Sequence, residues 1–194
     1  MRFPILSAAL AALCLSLPLA AQDVQVFGGQ SMRACSTVVL FGEKVMAGVT
    51  VTHGTPVWKD EYDGMLDKLK GKLNRLGKDM WTTFMNSVDV TIGGTKIPAG
   101  SYVVGLQCDK DGKFALAFMD ATKAMKAGAM PFGPQNWTPD VVAPLTLNKD
   151  VAKEPVKEMA MTLKADAKAL DKGSFTIAWG KHTLTADLAI SVAK

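Results

Sequence analysis

The feature that most constrains this chain is an alternation of period two. In "TLTADLAISV", Leu184, Ala186, Leu188, Ile190 and Val192 face one way, and Thr183, Thr185, Asp187, Ala189 and Ser191 face the other. "SFTIAW" aligns Phe175, Ile177 and Trp179, "MAMTLKA" aligns Met159, Met161 and Leu163, and "KFALAFM" aligns Phe114, Leu116 and Phe118. "GVTVTHG" and "SVDVTI" add two more half-apolar runs. Side chains on a strand alternate between faces, so this pattern predicts antiparallel sheets with one dry and one wet side. Turn residues separate the runs, and "GKH" reads as the turn of the last hairpin. The expected fold is mainly β: an antiparallel β-sandwich of about eight strands with one or two short helices.

Two stretches depart from the alternation. "DEYDGMLDKLKGKL" spaces Tyr62, Leu66, Leu69 and Leu73 at helical intervals, with acids first and lysines last, which suits a helix dipole. "DATKAMKAG" reads as a short helix capped by Asp120 and stopped at Gly128. "MPFGPQNWTPDVVAP" is rich in proline and reads as a long irregular connection.

The N-terminus is set apart from this body. Arg2 precedes an apolar run from Ile5 to about Leu17, and small residues follow before Gln22. That is the layout of a secretory signal peptide. The expected organisation is a signal peptide over 1–21, cleaved after Ala21, and a single β-sandwich domain over 22–194. The run is short for a membrane span, and no later stretch is long and apolar enough for one. Export to the periplasm or the extracellular space follows. Cys35 and Cys108 remain after cleavage, and an oxidising compartment makes a disulfide between them the expectation, with two buried free thiols as the other reading.

The net charge is +4, with lysines scattered among acids. No concentrated basic face is present, so nucleic acid is not an expected partner. "CDKDGK" fails as a calcium loop in both registers: one puts Phe114 where the sharp-turn glycine belongs, the other Phe118 where the bidentate acid belongs. It reads as a turn. No G-x-S-x-G nucleophile elbow occurs, and His53 and His182 are the only histidines, with no paired ligand spacing. The methionines on the strands fit core positions rather than a copper site. No metal and no cofactor are expected.

In "DVTIGGTKIPAGSYVV", a lysine and hydroxyl at a helix start would mark a phosphate loop, but a strand follows instead. It reads as a hairpin connection between Val88–Val90–Ile92 and Tyr102–Val104–Leu106.

This stretch also carries a resemblance. Pro56, then Arg75 and Gly77, then Thr82, then Pro98, Ala99, Gly100 and Tyr102 occur in the order seen in a bacterial family of secreted proteins, domain of unknown function family 2911. The closing "FTIAWGKHTLT", with Trp179 and Gly180, is similar to that family's last hairpin. The likeness runs from about Val49 to the C-terminus. His53 stands where the family usually has tyrosine, and Asp79 where it has asparagine. The resemblance implies a β-sandwich and export, and no established activity.

The most suggestive constellation is aromatic and basic: His53 and Trp58 in "HGTPVW", Arg75, Asp79 and Trp81 in "NRLGKDMW", and Asn136 with Trp137 further on. Planar aromatics beside Arg, Asn and Asp form recognition surfaces. The leading expectation is a non-enzymatic binding module for a small molecule, glycan or envelope protein, using His53, Trp58, Arg75, Asp79 and Trp81. The alternatives are a hydrolase-like or metal-dependent enzyme built on His53 and nearby acids, and a purely structural exported domain.

Overall fold

The computed structural model describes residues 29–42, 46–131, 137–148 and 154–192. The signal peptide expected over 1–21 and the site candidate Asn136 lie outside the described residues. The chain divides into two units, Met1–Gln30 and Ser31–Lys194. All the strands belong to the second.

Twelve strands and two short helices are described. In chain order they are β1 (Arg33–Phe41), β2 (Met46–Gly54), α1 (Met65–Leu69), β3 (Lys72–Arg75), β4 (Thr82–Asn86), β5 (Val90–Ile92), β6 (Thr95–Ile97), β7 (Gly100–Cys108), β8 (Phe114–Asp120), α2 (Ala121–Lys126), β9 (Val141–Leu147), β10 (Val156–Ala165), β11 (Lys172–Gly180) and β12 (His182–Ile190). Every pairing is antiparallel, in the order β1-β2-β4-β7-β8-β9-β12-β11-β10. The layers of the expected sandwich are therefore one continuous sheet folded over, with β9 as the hinge. Val141–Leu145 pairs with β8, and Thr146 and Leu147 pair with β12. Pro144, expected in an irregular loop, sits on this strand just before the switch. No second ladder strand pairs with it there among the described residues, so its missing N–H is tolerated.

The alternation holds. Phe114, Leu116, Phe118, Met159, Met161, Leu163, Phe175, Ile177, Leu184, Leu188 and Ile190 all enter one core with Val49, Val51, Phe84 and Val104. No described helix is long and apolar enough to cross a membrane.

The ends of the sheet, β1 and β10, close on each other through side chains rather than a ladder. Ser36 Oγ accepts from the Leu163 N–H at 2.9 Å and donates to the Leu163 carbonyl at 3.4 Å. His53 Nε2 accepts from the Met161 N–H at 3.2 Å. The Met161 and Leu163 N–H groups on the edge of β10 are thus paired, and the sheet becomes barrel-like there.

The opening of "GGTKIPAG" is a two-residue turn. Gly93 and Gly94 have φ of 55° and 80°, the double left-handed geometry of a type I′ hairpin between β5 and β6. A Cβ at Gly93 would overlap the Pro144 carbonyl. The connection is thus tighter than the whole stretch suggested. β6 intervenes, and Pro98–Ala99 then carries the chain across to β7 in the other layer. At that corner the Tyr102 hydroxyl donates to the Pro98 carbonyl at 2.8 Å, and its ring lies over Gly100, where a Cβ would sit 3.2 Å from it. The proline–alanine–glycine–x–tyrosine signature is a device for turning a corner between layers.

The helix expected from Tyr62 to Leu73 is only partly formed. Gly64 and Gly71 take φ of 77° and 69°, so α1 is confined to five residues. Lys72–Arg75 instead pairs with the second half of β7, which β4 leaves free. The ladder bonds outweigh a marginal short helix. The α2 helix forms as expected, with the Asp120 carboxylate accepting from the Lys123 N–H at 2.8 Å and Gly128 at φ 61° beyond its end.

Cys35 and Cys108 are not joined; both are free. Cys35 faces outward on β1, where its sulfur lies 3.6 Å from Thr37 Oγ1. Cys108 faces the core at the end of β7, with its thiol donating to the Asp109 carbonyl at 3.6 Å. In the sheet order β2 and β4 separate the two strands. Three strand spacings put them about 14 Å apart, far beyond disulfide reach. Burial also pushes the Cys108 thiol up, which keeps it protonated.

Candidate functional site

Between the layers, at the end held by α1 and the β11–β12 turn, the core opens into a cavity of about 410 Å³. Its floor is apolar: Leu106, Phe114, Met159, Ile177 and Leu184 come from five different strands, and the last four are buried. Leu66 and Leu69 of α1 form one wall. The rim carries Trp58, Tyr62, Trp179, His182 and Arg75.

Trp58 organises that rim. It lies 9% exposed, with Tyr62, Trp179 and His182 edge-on around it at centroid distances of 5.9, 5.1 and 5.8 Å. Such edge-to-face contacts are favoured by the ring quadrupoles. Its backbone N–H donates to the Lys157 carbonyl at 2.6 Å, tying "PVW" to the bulged start of β10. Gly180, at φ 58°, completes the seat, because a Cβ there would run into the indole. Trp179 donates through Nε1–H to the Pro56 carbonyl at 2.8 Å. Trp58 Nε1 is buried with no hydrogen-bond partner among the described residues. Leaving such a donor unpaired costs about 1–3 kcal/mol.

The structure separates the five sequence candidates. Trp58 and Arg75 line the cavity. His53 does not; it lies in the β2–β10 seam, 1% exposed. Its Nδ1–H donates to the Gly54 carbonyl at 3.0 Å while Nε2 accepts from Met161, which fixes the neutral tautomer. Burial lowers its pKa; the Gly54 hydrogen bond opposes this in part, and the charge of Arg33 adds a smaller lowering. An imidazole with both nitrogens engaged has no lone pair to offer substrate or metal.

Trp81 lies on the outer face of the sheet. It stacks on Trp137 at 4.6 Å, packed with Val103 and Met119 of the sheet and Ala124 of α2. Asp79 sits in the turn before it at φ 62° and accepts from the Ser31 hydroxyl at 2.5 Å. Among non-glycine residues, asparagine and aspartate adopt that backbone most readily. Asp79 meets that geometric demand in this chain. Gly77 meets another, since a Cβ there would press on Thr82 Oγ1 at 2.8 Å.

Tyr62, Trp179 and His182 were missed as site residues. Trp179 is in line with Phe175 and Ile177, a pattern that signals core. His182, expected to be exposed in a turn, is half-buried on β12 against Trp58. Nothing in one sequence could show that the β11–β12 turn folds onto "PVW", more than a hundred residues earlier. Among the described residues, no three His, Cys, Asp or Glu side chains gather where a metal could be held.

The family model described as "Protein of unknown function (DUF2911)" matches residues 39–188. The chain belongs to this family. No curated protein and no solved structure matches it. The DUF2911 match spans β2 to β11, the end of β1 and most of β12, so it includes every strand that lines the cavity. The motif residues divide by role. Pro98, Gly100, Tyr102, Gly77 and Thr82 shape corners and turns, whereas Pro56, Arg75, Trp179 and Gly180 surround the cavity or seat its rim.

Proposed function

We propose that this DUF2911 protein is a non-enzymatic binding module that takes a small, largely apolar molecule into the cavity between its sheet layers. The observation that carries this reading is the cavity itself. It has the size and apolar lining typical of small-molecule sites, with a few polar groups at one end. Its rim is held open by packed aromatic rings and by a glycine that admits Trp58. The commitment of His53 to the seam leaves the enzymatic alternative without its base. The N-terminal sequence, with Arg2, an apolar run and small residues before Gln22, supports export as the setting in which the protein binds.

The test uses the full chain and N-phenyl-1-naphthylamine, a neutral probe whose fluorescence rises in apolar surroundings. Saturable binding at one site is expected. Leu69→Trp, which fills the cavity from a half-buried position on α1, is expected to weaken binding by about tenfold or more, as overpacking a site does. Absence of saturable binding, or equal binding by Leu69→Trp, would overturn the reading.

A further inference from the structure

We infer that the segment from Asp60 to Gly71, which carries α1, is the gate of the cavity: it swings outward to admit a ligand and closes over it. This rests on the cavity being a binding site, and concerns how a molecule reaches it. Tyr62, Met65, Leu66 and Leu69 are the only side chains of the segment that are not exposed, and all four line the cavity. The apolar face of the segment is thus given over to the cavity. No residue of α1 is buried, and five helical residues have little stability of their own.

The two ends of the segment are held differently. Toward β3, the Gly71 N–H donates to the Asp109 carbonyl at 3.2 Å, and the Asn74 amide donates to the Leu69 carbonyl at 3.3 Å. Across the mouth the links are made by side chains. The Tyr62 ring lies 5.9 Å from that of Trp58 and 5.3 Å from that of Trp179. The Asp63 carboxylate pairs at 3.5 Å with Lys181 Nζ in the β11–β12 turn. Both members of this pair are exposed, so water and salt weaken it, and it favours the closed position without locking it. Gly64 and Gly71 bracket α1 at positive φ, and a Cβ at Gly64 would meet nothing within 4 Å. Glycine changes backbone conformation at little steric cost, which suits a hinge. The strands of the floor are bonded in ladders, and Trp58 is tied to β10 through its backbone. Of the cavity walls, this segment therefore moves at the least cost.

The experiment is stopped-flow binding of N-phenyl-1-naphthylamine to the full chain carrying Asp63→Cys and Lys181→Cys, with Cys35→Ser to remove the exposed native thiol. Joining the two introduced thiols with a short bis-maleimide fixes the segment across the mouth. Capping each with N-ethylmaleimide leaves it free and serves as the control. The joined protein is expected to bind and release the probe at about one-tenth the rate of the capped protein or less, with Kd within about threefold. Joined after loading, it should carry the probe through gel filtration, whereas the capped protein should lose it. If release from the joined protein is as fast as from the capped one, whatever its Kd, the gate inference falls and the cavity reading stands. If the unaltered protein does not bind the probe at all, both fall together.

Discussion

Asn86→Ala is expected to lower the unfolding free energy by about 2–4 kcal/mol, one of the two largest effects of any single change discussed for this chain. Asn86 ends β4 and is 4% exposed. Its amide Nδ2 donates to the carbonyls of Val88 and Pro98 at 2.8 Å each, and reaches Ile97 at 3.4 Å. Val88 precedes β5 and Pro98 follows β6, so neither of these two carbonyls lies on a described strand, whereas Ile97 is paired with Val90 in the β5–β6 hairpin. Truncation leaves buried acceptors without a donor and opens a small void. Part of the cost is offset, because Asn86 Oδ1 has no partner among the described residues and is removed as well. Urea unfolding should show a lower midpoint with an unchanged slope. A loss below about 1 kcal/mol would mean that the corner is held by Tyr102 alone.

Replacing His53 should cost a comparable amount and should also change how stability depends on pH. His53→Leu strands the Met161 N–H and the Gly54 carbonyl, each worth about 1–3 kcal/mol when buried and unpaired. The folded imidazole has a pKa below its ordinary value of 6.5, chiefly because it is buried. Below pH 6.5 the unfolded chain therefore binds a proton that the folded protein resists. Stability is fully present above that pH and declines as pH falls toward the folded value. Protonation would turn Nε2 from acceptor into donor, facing the Met161 N–H. Stability curves from pH 8 down to pH 5 should slope downward in the unaltered protein and flatten in His53→Leu. An equal slope in both would show that His53 does not carry this linkage.

The sheet was legible because alternation is a local signal. Phe175, Ile177, Met159, Met161 and Leu184 declare their faces from two residues away. The strand count was not, because β3 and β6 are only four and three residues long. Each exists because a neighbouring strand had unpaired backbone, and Lys72–Arg75 shows tertiary pairing overriding a helical pattern. The site was half legible. Trp58 and Arg75 were found from their chemistry, while Asp79 and Trp81 entered with them only through proximity in sequence. A residue's face decides its role: the alternation that put Trp179 inside also concealed it as core. The disulfide failed for the same reason, since sequence spacing says nothing of the two strands that separate Cys35 from Cys108.

The central claim concerns where a ligand sits, and the four tryptophans report on it directly. Trp58 and Trp179 ring the cavity, whereas Trp81 and Trp137 stack together on the outer face. A two-dimensional proton–nitrogen spectrum of the full chain, titrated with N-phenyl-1-naphthylamine, should shift the indole resonances of Trp58 and Trp179 and leave those of Trp81 and Trp137 in place. Shifts confined to Trp81 and Trp137, or no indole shift at saturating probe, would contradict the account.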